Sequence, residues 1–94
     1  MAATLLSAEI LNALDQTLPN WQVVDGQLER HWTFPDFVSA WGFMTRVALI
    51  AQAMDHHPNW SNVYGNVTIR LSTHDLGGLS NLDVTLAQSI DRLD

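Results

Sequence analysis

Two glycine-bearing turns, Asp25-Gly26 and Gly65-Asn66, constrain the fold more than any other feature of this sequence. Glycine accepts the positive φ that a tight hairpin demands, so each dipeptide predicts a pair of antiparallel strands. Before the first turn, Trp21 to Val24 reads as a strand. After it, Leu28, Arg30, Trp32 and Phe34 alternate with Gln27, Glu29, His31 and Thr33, the period of a half-buried strand. Around the second turn, Trp60 to Tyr64 and Val67 to Thr73 read as two more strands. Val67, Ile69 and Leu71 face one way there, and Thr68, Arg70 and Ser72 the other.

Helical periodicity occupies the segments outside the hairpins. Ser7 is placed to cap a first helix, Glu9 meets its dipole, and Leu6 and Leu11 have the spacing of a hydrophobic staple. Ile10, Leu11, Leu14 and Leu18 form the apolar stripe, which Pro19-Asn20 stops. Pro35 suits the first turn of a second helix, in which Phe37, Trp41, Met44, Ala48 and Ala51 recur through to Met54. Pro58 disfavours helical geometry at His57, so that helix is expected to end near Asp55. Past Gly77-Gly78, Ser80 and Asp83 make a capping-box variant, and Leu82, Leu86, Ile90 and Leu93 supply the stripe of a third helix. The order helix-hairpin-helix-hairpin-helix predicts an α+β fold: a four-stranded antiparallel sheet with three helices packed on one face, one domain over residues 1–94.

A domain of this length buries only about 60–65% of its unfolded surface, so self-association would add useful coverage. An open four-stranded sheet also leaves edges to cover. The apolar residues Phe37, Val38, Trp41, Phe43, Met44, Val47, Ala48 and Ile50 cannot all face one sheet. A homodimer or homotetramer is expected. Four arginines against ten acidic residues give a net charge of −6, which argues against nucleic acid and anionic membranes as partners. There is no cysteine, hence no disulfide, thiolate nucleophile or thiolate metal site. The segment Met1 to Leu6 lacks a basic region and a long apolar run, and no stretch approaches the ~20 apolar residues of a membrane span. A cytoplasmic location is expected.

The histidines are not scattered. His56 and His57 adjoin at the mouth of the second helix between Asp55 and Pro58, and His74 follows the last strand between Thr73 and Asp75. Element ends commonly display functional groups, and imidazole gives and takes protons near neutrality. Adjacent histidines in a polar loop are nevertheless more often solvated or structural than catalytic. The third adds weight only if the two ends converge. Three histidines with Asp55, Asp75 and Asp83 also offer metal-ligand types, but no recognised ligand spacing occurs and His56 and His57 diverge if extended, so no metal is expected. His31 reads as an exposed sheet residue. Trp21, Trp32, Phe34, Phe37, Trp41 and Phe43 read as core or interface, whereas Trp60, just past His-His-Pro, suits either packing or the wall of a pocket for a flat heterocycle.

The stretch Asp55-His56-His57-Pro58-Asn59-Trp60-Ser61-Asn62-Val63-Tyr64, with His74 ten positions after Tyr64 and Asp83 in the next helix, resembles the signature of pterin-4a-carbinolamine dehydratases. Leu71 to Asp75, Gly78-Leu79-Ser80 and Trp41 to Ala48 are similar to family text as well, and the likeness runs from about Thr4 to Arg92. Where that family usually carries a charged residue, often Glu, four positions before the first motif histidine, this chain has Gln52. An amide can hydrogen-bond there but cannot act as a carboxylate. The resemblance implies a catalytic set of His56, His57 and His74, with His56 and His74 in acid/base roles and His57 mainly holding the pterin. It implies further binding contacts from Asp55, Pro58, Trp60, Ser72, Thr73, Asp75 and Asp83, the last either orienting a histidine or touching the ligand. The implied reaction converts a 4a-hydroxytetrahydropterin to a quinonoid dihydropterin and water, in the recycling of pterin for aromatic amino acid hydroxylases, with no cofactor. Animal members of the family also serve as dimerisation cofactors of a transcription factor, so a non-catalytic protein-binding module is the alternative.

Overall fold

The computed structural model describes residues 2–93. In chain order the elements are α1 (Ala8–Asn12), α2 (Leu14–Thr17), β1 (Gln22–Val24), β2 (Gln27–Thr33), α3 (Phe37–Met54), β3 (Asn59–Val63), β4 (Asn66–Leu71), a 3-10 turn (His74–Leu76) and α4 (Asn81–Asp91). The four strands form one antiparallel sheet in the order β1-β2-β4-β3. The α+β class holds, but four α-helical segments stand where three helices were expected.

The extra segment comes from a break at Ala13. The expected helix from Ser7 splits there, where φ is −101° and ψ 4° and the Ala13 amide donates to Ile10 O instead of continuing the α-helical pattern. Ser7 caps α1 as expected, its Oγ accepting from Ile10 N. Beyond the break Leu14 and Leu18 enter the core while Ile10 and Leu11 stay exposed. Helices this short are marginal alone, so burial of two leucines decides the geometry over the local pattern.

Both hairpins form, the first as read: Asp25 and Gly26 take φ of 52° and 76°. The second turn is Tyr64-Gly65, one residue earlier than the expected Gly65-Asn66. Val63 pairs with Asn66, Tyr64 takes φ 52°, and Asn62 Nδ2 donates to Tyr64 O and Asn66 O at 3.0 Å each. The glycine is needed for closeness. A Cβ at Gly65 would collide with the carbonyl oxygen of Phe34, whose own amide donates to Gly65 O at 2.7 Å.

Register places Leu28 opposite Leu71, Trp32 opposite Val67 and Trp60 opposite Ile69. This face joins Leu14 and Leu18 of the N-terminal region, Phe43 and Val47 of α3, and Leu86 and Ile90 of α4 in one core cluster. The other face is polar and open. There Arg70 Nε donates to Glu29 Oε1 at 2.8 Å, and His31 pairs with Thr68 Oγ1 at 3.0 Å.

The cap of α3 is Asp36, which accepts from Ser39 N at 2.7 Å, so Pro35 precedes the helix rather than opening it. Ala40, Phe43, Met44, Val47 and Ala51 bury against the sheet, and Phe37, Trp41 and Ala48 of the expected stripe do not. A helix apolar on most sides cannot declare its inner face by periodicity. Packing decides it, and two of the buried positions are the small Ala40 and Ala51. No stretch was expected to approach the length of a membrane span, but among the described residues α3 is the one helix long and apolar enough to cross a membrane, with a mean hydropathy of 1.2 over 18 residues. In this fold it lends one side to the core. Its outer side is nonetheless apolar, with Val38 78%, Leu49 68% and Trp41 58% exposed.

Candidate functional site

Three element ends meet at one end of the sheet. The first is the C-terminus of α3, where Asp55 takes the left-handed conformation (φ 52°, ψ 42°). The Asp55 amide donates to Gln52 O and the His56 amide to Ala51 O, both at 3.1 Å, the paired bonds of a Schellman motif. That reversal throws His56 and His57 off the helix axis. The second end is the exit of β4, where Thr73 N donates to Gly78 O at 2.9 Å and the 3-10 turn carrying His74 closes on Gly77 at φ 70°. The third is the start of α4.

Ser80 and Asp83 form the capping box anticipated from their spacing: Ser80 N donates to Asp83 Oδ2 at 2.9 Å and Ser80 Oγ accepts from Leu82 N at 3.2 Å. The same carboxylate also serves the cleft. Asp83 is 0% exposed, and its Oδ1 accepts from His56 Nε2 at 2.6 Å while Oδ2 also accepts from Thr73 Oγ1 at 2.8 Å. Since Thr73 donates its proton to Asp83, the short Thr73–Ser80 contact runs with Ser80 Oγ as donor. A buried carboxylate is tolerable only when its oxygens are satisfied, and these are. The imidazole of His56 is thereby held at Nε2, leaving Nδ1 for a ligand.

His57 is held at the same ring nitrogen by a different group: Nε2 donates to Gln52 Oε1 at 2.9 Å, near the surface. His74 is exposed, beside Asp75. Asp55, His56, His57, Ser72, Thr73, His74 and Asp75 line one open cleft of about 310 Å³. The two histidine-bearing ends therefore converge. A second depression of about 240 Å³, lined by Asp25, Gly26, Gln27, Gly77 and Gly78, shares Ser72 and His74 with it.

Three of the expected binding residues are not among those that line the cleft. Asp83 lies behind His56, out of reach of solvent, with Oδ1 against the imidazole. Trp60 lines a separate apolar pocket with Trp41, Met44, Thr45 and Ala48. Pro58 is half-buried and absent from the cleft lining. Thr73 does line the cleft, but its hydroxyl is engaged by Asp83 and Ser80. His31 sits on the open sheet face, apart from the cleft. Among the described residues no three His, Asp or Glu side chains are grouped to hold a metal ion. Two contacts within the site could not be read from spacing. Ser80 was legible only as a cap, and the contact from Gln52 to His57 spans five residues across a chain reversal that no helical spacing announces.

Histidines lining one small open cleft bring groups that give and take protons to a common space. Comparison with known proteins finds one family across the chain. The family model for pterin 4 alpha carbinolamine dehydratase matches residues 3–93. A protein of Synechococcus sp. (strain WH7803), provisionally named pterin-4-alpha-carbinolamine dehydratase, is 63% identical over 91 residues, covering 97% of this chain and 98% of its own. One of Prochlorococcus marinus (strain MIT 9313) with the same provisional name is 56% identical over 94 residues, covering 100% and 98%. A crystal structure from Brucella melitensis, described as a transcriptional coactivator/pterin dehydratase, superposes with a TM-score of 0.88 at 36% identity over 95% of this chain and 97% of that one. A pterin dehydratase-like protein, described as a RuBisCO assembly factor in the alpha-carboxysome, shares the fold at a TM-score of 0.63 and 22% identity, over 78% and 84% of the two chains.

Proposed function

The chain belongs to the pterin-4a-carbinolamine dehydratase family, and we propose that it removes water from a 4a-hydroxytetrahydropterin by histidine acid/base catalysis. The observation that carries this reading is the pairing of His56, backed by the buried Asp83, with the exposed His74 across one cleft. One histidine gives a proton to the 4a-hydroxyl as the C4a–O bond breaks, and the electron pair leaves with the oxygen as water. The other removes the proton from the adjacent ring nitrogen, whose electrons form the new C=N bond of the quinonoid dihydropterin. One proton is delivered and one collected, so no oxidant, reductant or cofactor enters the balance.

Asp83 compensates positive charge on His56 while that ring holds its second proton and keeps it aimed, as a buried aspartate does in other histidine-dependent sites. His57 holds the pterin. Asp55, Ser72, Thr73 and Asp75 complete the cleft, with Thr73 acting through Asp83. Pro58 and Trp60 support the histidine segment from outside it. The service performed is pterin recycling, for an aromatic amino acid hydroxylase where one is present, at a cytoplasmic location. Self-association to a homodimer or homotetramer is favoured by the outer side of α3, where Phe37, Val38, Trp41 and Leu49 are exposed. A light-scattering mass at the 10.5 kDa of one chain would remove that part of the proposal.

The exposed face of α3 and the coactivator description of the Brucella protein favour a second reading, a protein-binding module without turnover. The test is the dehydration of enzymatically generated 4a-hydroxytetrahydropterin, followed spectroscopically beside a pull-down from native extract. Acceleration over the spontaneous reaction supports the dehydratase. Binding of a partner with no acceleration supports the module.

A further inference from the structure

His56 and His57 are neighbours in sequence, line the same cleft and are each gripped at Nε2, but the gripping groups differ in kind. Behind His56 stands a buried carboxylate; behind His57 stands the neutral, exposed amide of Gln52. A carbonyl oxygen only accepts, so contact through Gln52 Oε1 requires His57 to carry its proton on Nε2. The ring nitrogen left to the cleft is then Nδ1, with a free lone pair. An amide offers no charge to balance an imidazolium, whereas a carboxylate does.

We infer that Gln52 is a positioning residue that makes His57 a neutral hydrogen-bond acceptor, and that its Nδ1 receives an N–H donor of the pterin ring. This inference rests on the dehydratase reading and divides the labour within it. His56 carries protons, and His57 reads the donor edge of the substrate and stays out of the proton transfers. The other ionisable groups facing His57 are Asp55 and His56 from the end of α3, and His74 and Asp75 from the 3-10 turn. They are common to the wild type and the variants below, so differences among those proteins report position 52.

The experiment uses the full chain labelled with 15N on histidine, in the wild type, Gln52→Ala and Gln52→Glu. Ring-nitrogen shifts are recorded against pH, with and without fully oxidised biopterin, which cannot dehydrate. In the wild type above the titration, His57 is expected to show a protonated Nε2 and an unprotonated Nδ1, and Nδ1 is expected to move when biopterin is added. Gln52→Ala removes one hydrogen bond and is expected to raise KM about two- to tenfold with a smaller effect on kcat. Gln52→Glu is expected to hold the His57 ring protonated to higher pH, so that KM rises on the acid side at a pH where the wild type still binds. A proton on Nδ1 in the wild type would overturn the inference. So would a Gln52→Glu protein whose KM and His57 titration both follow the wild type. Failure of the dehydratase reading appears separately, as absence of turnover in a wild type whose His57 still shows the Nε2–H form.

Discussion

The back wall of the cleft and its rim hold two adjacent histidines by opposite means. At the back, Asp83 is fully buried, accepts three hydrogen bonds and caps α4 in the same act. At the rim, Gln52 is exposed and makes a single side-chain contact with His57. The difference teaches that burial couples function to folding. A group satisfied only by its neighbours cannot be removed without unfolding something, whereas a solvated one can be changed with effects confined to the ligand.

The largest effect that separates the two regions is expected at the back wall. Asp83→Ala strips a buried partner from His56 and half of the capping box from α4, and is expected to cost about 3–5 kcal/mol of stability. That is a large share of what a domain this size possesses, so denaturant unfolding should be read first. Asp83→Asn, which keeps the volume, is expected to fold and to lower kcat more than it raises KM. An Asp83→Asn protein with wild-type kcat would break the comparison. Next comes Thr73→Val, which withdraws one donor from Asp83 and leaves Ser80 Oγ without its acceptor. About 1–3 kcal/mol is expected to be lost, with a kcat decrease smaller than that of Asp83→Asn. At the rim, His57→Ala is expected to leave the melting curve near that of the wild type and to act mainly through KM.

The smallest effect concerns Asp36, which caps α3 from an exposed position, as Ser80 caps α4 from a buried one. The Ser39 amide donating to it holds its carboxyl below the usual carboxylate range. A lowered folded-state pKa contributes stability above the ordinary value, and that contribution is lost as pH falls through the lowered one. The stability difference between wild type and Asp36→Ala is therefore expected to be steady near neutrality and to shrink below about pH 4. Thermal melts across that range check it. A difference that grows in acid would contradict the assignment of Asp36 as the cap.

What the sequence made legible follows the range of the interactions. The Asp25-Gly26 turn, the Ser80/Asp83 box and the end of α3 at Asp55 are local, and each is where its residues imply. The second turn falls at Tyr64-Gly65, one residue before Gly65-Asn66, with the glycine required by the carbonyl of Phe34, distant in sequence. The inner face of α3 and the break at Ala13 were likewise set by packing. In the site, the histidines stand out in sequence by their places at element ends, but their roles came from a family likeness, because their convergence depends on how two element ends meet. The capping box announced Asp83 as a helix residue, and nothing local announced that its other oxygen would face His56.

The central claim is that His56 and His74 act on the same substrate from the two sides of one cleft. It is tested most directly by the His56→Ala/His74→Ala double variant, shown to be folded by circular dichroism and assayed beside each single variant and His31→Ala on the open sheet face. A positioned acid or base contributes about 10²–10⁴-fold, and groups acting as a unit are not additive. The single variants are expected to lose activity of that order, the double variant to approach the spontaneous dehydration rate, and His31→Ala to match the wild type. Full activity in the double variant would contradict the mechanism.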